Sequence, residues 1–144
     1  MLRELLLVTS LTSASVAVAA DGESLFNGVC AACHQLHGAG SPGLAPPLAN
    51  KGLWSGLGAS APSYLQGVML AGMSGAIEVD GQKYLGLIMP PQDRMTDAEL
   101  AAIGNYILGT LNGVGGASLT EASVGRVRAA PPSHAALREI RKNG

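Results

Sequence analysis

Only two cysteines occur in the chain, and they stand at Cys30 and Cys33 with His34 directly after the second. Two thiols three residues apart on a helical turn can both reach the vinyl groups on one edge of a porphyrin and become thioethers. An imidazole one residue further on can then point a ring nitrogen at the iron from one face. Cys-x-x-Cys-His is the attachment signature of c-type haem for that reason. Other uses of the pair fit less well. Structural zinc needs four ligands, and no second Cys pair or His pair accompanies this one. A thioredoxin-like redox pair belongs beside a strand in a βαβ unit, a pattern this sequence lacks. A disulfide between positions three apart on a helix has poor geometry.

Ligation by His34 alone would leave the sixth position of the iron open. The candidates to fill it are Met69, Met73, Met89, Met95, His37 and His134. His37 lies three residues from His34, so both rings start from the same side of the porphyrin. Met95 is needed as the hydrophobic staple of the helix that follows it. Met69 falls mid-helix at core spacing, Met73 just past that helix reads as packing, and His134 reads as a solvated surface residue in a proline-containing tail. Met89 lies 55 residues after His34 on a segment stiffened by Pro90 and Pro91, far enough along the chain to pass around the porphyrin. Met89 is therefore the expected ligand, with Met73 and Met95 as the alternatives.

Several elements must hold these side chains. "GESLFNGVCAACH" is expected to be helical, because Leu25, Phe26, Val29 and Cys33 share a face. Residues 38–52 carry so many Gly and Pro that an irregular loop is expected. "SAPSYLQGVMLAG" supplies a helix opening near Ser60 or Pro62 and closing at Gly72. "IEVDGQKYLG" alternates around Asp80-Gly81, the signal of a tight β-hairpin, and Pro90 forces Met89 to be extended. Thr96 and Glu99 form a capping box, Met95 and Leu100 its staple, and Leu100, Ile103, Ile107 and Leu111 an apolar stripe ending near Asn112-Gly113. Beyond it, one or two short helical pieces broken by Pro131-Pro132 are expected to wrap the body or meet a partner.

A chain of 144 residues, 47% hydrophobic and 13% charged, can build one core. Its aromatics are only Phe26, Trp54, Tyr64, Tyr84 and Tyr106, against 20 glycines. Such a core fits a fold with a bulky non-protein group at its centre. A formal charge of −1 lacks the basic excess of a nucleic-acid binder, so no nucleic-acid partner is expected. The charge is unevenly spread: residues 21–112 carry three basic against seven acidic side chains, and residues 113–144 five basic against two acidic. Residues 1–20, with Arg3, an apolar run and small residues up to Ala20, outline an export signal, or a retained anchor, and place the protein in the periplasm. The run falls short of the ~20 residues that cross a bilayer, so no transmembrane span is expected.

The chain resembles the class I cytochromes c. The likeness rests on CAACH and MPP, on Gly22 and Phe26 standing eight and four residues before Cys30, and on Ile103 and Tyr106 in the later helix. It covers residues 22–112, and "SGAIEVDGQKYLGLIMPP" is most like the bacterial periplasmic branch. The resemblance implies an all-α cytochrome c fold, three to four main helices around one covalently bound haem c, with a small β-hairpin before the Met loop. It implies that Pro46 and Leu48 belong to the loop whose proline carbonyl accepts a hydrogen bond from the proximal histidine. It also implies docking of redox partners on small and apolar residues around Ala31, Ala32, Gly40 and Leu44. The domains expected are a leader over 1–20, a haem-bearing body over 21–112 and a tail over 113–144. The function expected is periplasmic one-electron transfer by an iron held between His34 and Met89, a carrier and not an enzyme. The alternative is a haem c subunit of a larger dehydrogenase, reductase or oxidase, with the basic tail as its attachment. Peroxidase or gas-sensing chemistry would need an open coordination position.

Overall fold

The computed structural model describes residues 21–86, 88–116, 118–142 and 144; the expected leader over 1–20 lies outside them. Helix α1 runs over residues 22–34 as Gly22–Leu25, a π-helical Phe26–Cys30 and Ala31–His34. Asp21 caps it by accepting from Glu23 N–H. In the wide turn Ala31 N–H donates to Phe26 O, five residues back, the mark of a π-bulge. Gln35, at φ 61, ends the helix.

Helix α2, Lys51–Leu57, was not expected from a stretch so rich in glycine. Tertiary burial overrides propensity here: Asn50 Oδ1 accepts from Leu53 N–H, and Trp54 and Leu57 are buried. The irregular loop therefore ends at Asn50, two residues earlier than the composition implied. Helix α3, Ala61–Ala71, has Pro62 in its first turn and closes at Gly72, φ 73.

Strand β1, Met73–Ser74, pairs antiparallel with β4, Ile88–Met89, so that Met73 lies opposite Met89. Between them β2, Ile77–Val79, and β3, Gln82–Tyr84, form a hairpin. Its two turn residues, Asp80 (φ 50) and Gly81 (φ 77), both have positive φ, as a type I′ turn requires. Helix α4 spans 97–111, α-helical over Asp97–Asn105 and π-helical over Tyr106–Leu111, and opens on the Thr96–Glu99 capping box.

Helices α1 and α4 cross where Gly22 meets the backbone of Ala102; a Cβ on Gly22 would stand 2.2 Å from Ala102 O. Above that crossing the Phe26 and Tyr106 rings are 5.3 Å apart and tilted by 51°, a favourable aromatic geometry. Helices α5, Glu121–Ala129, and α6, His134–Arg141, follow. They bury Val124 and Leu137 completely against α3 and α4. The architecture is mostly helical with a small antiparallel hairpin, as expected of a cytochrome c fold. No helix among the described residues is long and apolar enough to cross a membrane.

Candidate functional site

The two thiols and the imidazole leave α1 at its C-terminal end, because the last turn carries Cys30, Cys33 and His34. His34 is buried, Cys30 half-buried and Cys33 exposed, and no disulfide joins the two cysteines. Burial pushes the Cys30 thiol up to about 11.

His34 Nδ1 lies 2.9 Å from Pro46 O. A carbonyl only accepts, so Nδ1 carries the proton and Nε2 keeps its lone pair. Burial lowers the ring's affinity for a second proton, and the Pro46 hydrogen bond partly opposes that. The result is a neutral imidazole of fixed tautomer, the form a metal ion needs.

The Pro46 carbonyl is held in turn by the chain around it. Gly40 N–H donates to His34 O at 2.7 Å, and Leu48 and Ala49 N–H both donate to Gly38 O. Gly40, φ 75, lies so close to this loop that a Cβ would come 2.5 Å from Pro47 N. Leu48 O accepts from Trp54 Nε1 at 2.8 Å and from Asn112 Nδ2 at 2.9 Å. One carbonyl thus ties the loop to α2 and to the end of α4. Neither Trp54 nor Asn112 was singled out from the sequence. The only tryptophan of the chain was a usable signal, whereas Asn112 read simply as a helix stop.

All six expected site residues, Cys30, Cys33, His34, Pro46, Leu48 and Met89, border one cavity of about 280 Å³. Its wall is otherwise largely apolar and includes Trp54, Tyr64, Leu65, Leu100, Ile103 and Ile107. Its size is close to the lower end of the range of cofactor pockets, about 300–1,000 Å³. An apolar slot with two thiols and an imidazole lone pair on its border fits a covalently held, flat, iron-bearing macrocycle. Met69, Met73 and Met95 also border it, so bordering alone does not distinguish Met89 from its alternatives. The backbone around Met89 is held at several points, some of them shared with Met73 and Met69. Its strand pairs with β1, its carbonyl presses on Gly72 so that a Cβ there would meet it at 2.5 Å, and Gln92 N–H donates to Met69 O at 2.7 Å.

Two expectations need correction. His134 is not a solvated surface residue: Nε2 donates to Ala71 O at 2.9 Å, and Nδ1 lies 2.6 Å from Ser74 Oγ. The proline break before it turns α6 back onto β1. Ala31 is no docking residue either, because it is buried in the core. Among the described residues, the exposed large aliphatic side chains on the border of the cavity are Val29, Leu44 and Ile88, 41%, 47% and 70% accessible.

The sequence pattern of the Cytochrome c family matches residues 19–110. Cytochrome c-552 of Thermus thermophilus is 41% identical over 88 residues, which is 61% of this chain and 66% of the relative. A cytochrome c-552 from a specified strain of the same organism is also 41% identical over 88 residues, with 58% of its length covered. The chain therefore spans about three fifths to two thirds of the relatives it matches.

Proposed function

Because the chain belongs to the cytochrome c family, we propose that it is a periplasmic one-electron carrier with one haem c. Cys30 and Cys33 would hold the porphyrin as thioethers, and His34 and Met89 would be its axial ligands. In this reading residues 1–20 are an export leader, 21–112 the haem-bearing body and 113–144 an extension packed on it. Bound there, the haem supplies an iron that gains or loses one electron, at a potential raised by thioether ligation.

The observation that carries the reading is the single cavity bordered by both thiols, by an imidazole with its Nε2 lone pair free, and by a thioether on a pinned backbone. The chain's own residues do the rest. Pro46 holds His34 in orientation and makes it more basic. Leu65, Leu100, Ile103 and Ile107 line the cavity with hydrocarbon, which keeps water from the metal. Held by both His34 and Met89, the iron would be closed to substrate, and the chemistry it would supply is electron transfer. Val29, Leu44 and Ile88 offer an apolar rim on which redox proteins would dock through small, short-lived interfaces.

The holoprotein and its Met89→Ala, Met73→Ala and Met95→Ala variants test this by absorption spectroscopy and potentiometry. Only Met89→Ala is expected to lose the weak far-red iron–sulfur band of the oxidised form and to fall in reduction potential. Persistence of the band in Met89→Ala, with its loss in one of the other two, would overturn the assignment.

A further inference from the structure

Besides Arg141, which donates to Tyr64 Oη at 3.0 Å, the basic side chains of α5 and α6 grip the segment around Met89 at two places. Arg128 donates from Nε to Asp97 Oδ1 at 2.7 Å, from Nη1 to Asp93 O at 2.6 Å and from Nη2 to Met95 O at 2.7 Å. Arg138 Nη1 donates to Ser74 O at 2.6 Å, and the His134 ring bridges Ala71 O and Ser74 Oγ. The first site lies just after Met89-Pro90-Pro91 and the second at β1, the strand paired with Met89. The two grips bracket residues 71–97, with Met89 between them. Both helices are themselves anchored, since Val124 and Leu137 are fully buried. Leu137 and Pro132 also press on Gly67 of α3 so closely that a Cβ there would stand 2.7 Å from each.

We propose that the tail is a brace for the axial thioether, with Arg128, His134 and Arg138 as positioning residues that keep the Met89 sulfur on the iron. The proposal rests on the assignment of Met89 above. The physical basis is that segment 71–97 contains only short two- and three-residue strands, too few ladder bonds to be rigid alone. Charged guanidinium donors to its carbonyl oxygens supply what the ladder lacks.

The test is titration of the oxidised holoprotein with imidazole, which binds the iron only in molecules whose sulfur has left. In that exchange an iron–sulfur bond breaks, an iron–nitrogen bond forms and no electron moves. Arg128→Ala and Arg138→Ala are each expected to bind imidazole about tenfold more tightly than the parent, a change of about 1.4 kcal/mol. Both should also lose the iron–sulfur band on warming before the helical circular dichroism collapses. Arg138→Lys and His134→Gln, which keep a donor, should restore the parental affinity. Leu108→Ala, a core change away from the cavity, should lower the unfolding temperature and leave imidazole affinity unchanged. If the tail variants behave as Leu108→Ala does while Met89→Ala abolishes the band, the brace is refuted and the ligand assignment stands. If Met89→Ala keeps the band, both fall.

Discussion

Single side chains set the chemistry of this site through very short reaches. The imidazole of His34 has one hydrogen bond, to Pro46 O, and that bond decides which ring nitrogen is available. The bond depends on Gly40, whose φ of 75° and close approach to Pro47 leave no room for a side chain. Gly40→Ala should lower stability by about 1–3 kcal/mol through overpacking, read by denaturant unfolding. Displacing the Pro46 carbonyl should also make His34 a weaker donor to iron, so the reduction potential is expected to rise. A loss of stability with no change in potential would mean that the loop yields elsewhere and Pro46 stays in place. The Cys-x-x-Cys-His spacing was legible at once, because attachment chemistry is local. The partner of His34 stands twelve residues away and was reachable only through resemblance, since spacing alone does not bring a carbonyl to a ring.

At the scale of elements, the sequence announced α1, α3, α4 and the hairpin because each carries its own signals. Asp80-Gly81 adopts the positive φ values its turn demands, and Thr96 caps α4 by accepting from Glu99 N–H at 3.2 Å. The Thr96 backbone N–H, and then its hydroxyl, hold the Glu99 carboxyl below its usual value. A carboxyl lowered in the folded state adds stability above its unfolded value and loses it as pH falls. Glu99→Gln should therefore be less stable than the parent at neutral pH and converge with it in acid, as measured by unfolding across pH. Equal differences at both ends would show that the capping geometry, not the charge, matters. Helix α2 carries no local signal because Gly52 and Gly56 depress its propensity, while its formation depends on burying Trp54 and Leu57. The π-helical turns in α1 and α4 were equally invisible, since no local residue type demands a five-residue hydrogen bond.

Across the whole molecule, three arginines of the basic tail bond back to the body, one of them to an acidic side chain. Arg128 pairs with Asp97, while Arg138 and Arg141 donate to Ser74 O and to Tyr64 Oη, 3.0 Å away. The charge asymmetry read as a possible attachment to a partner is thus used internally, at least by these three side chains. The tail is also part of the core, through Leu119, Val124 and Leu137. Leu137→Ala should cost about 2–5 kcal/mol, in line with other buried leucines, and calorimetry of the holoprotein should show one shifted transition. Two separated transitions would mean that the tail unfolds independently of the body.

The sequence by itself marked Cys30, Cys33 and His34 as the expected place for a porphyrin, and determined the elements that begin and end on their own caps and turns. Those features rest on contacts among neighbours, and neighbours are visible in a string of letters. Only the tertiary structure decided that α2 forms, that Leu48 O joins Trp54 to Asn112, and that His134 leaves solvent to hold Ala71 and Ser74. These contacts join positions as far apart as 64 residues, and the path of the chain between them is set by burial of the core as a whole.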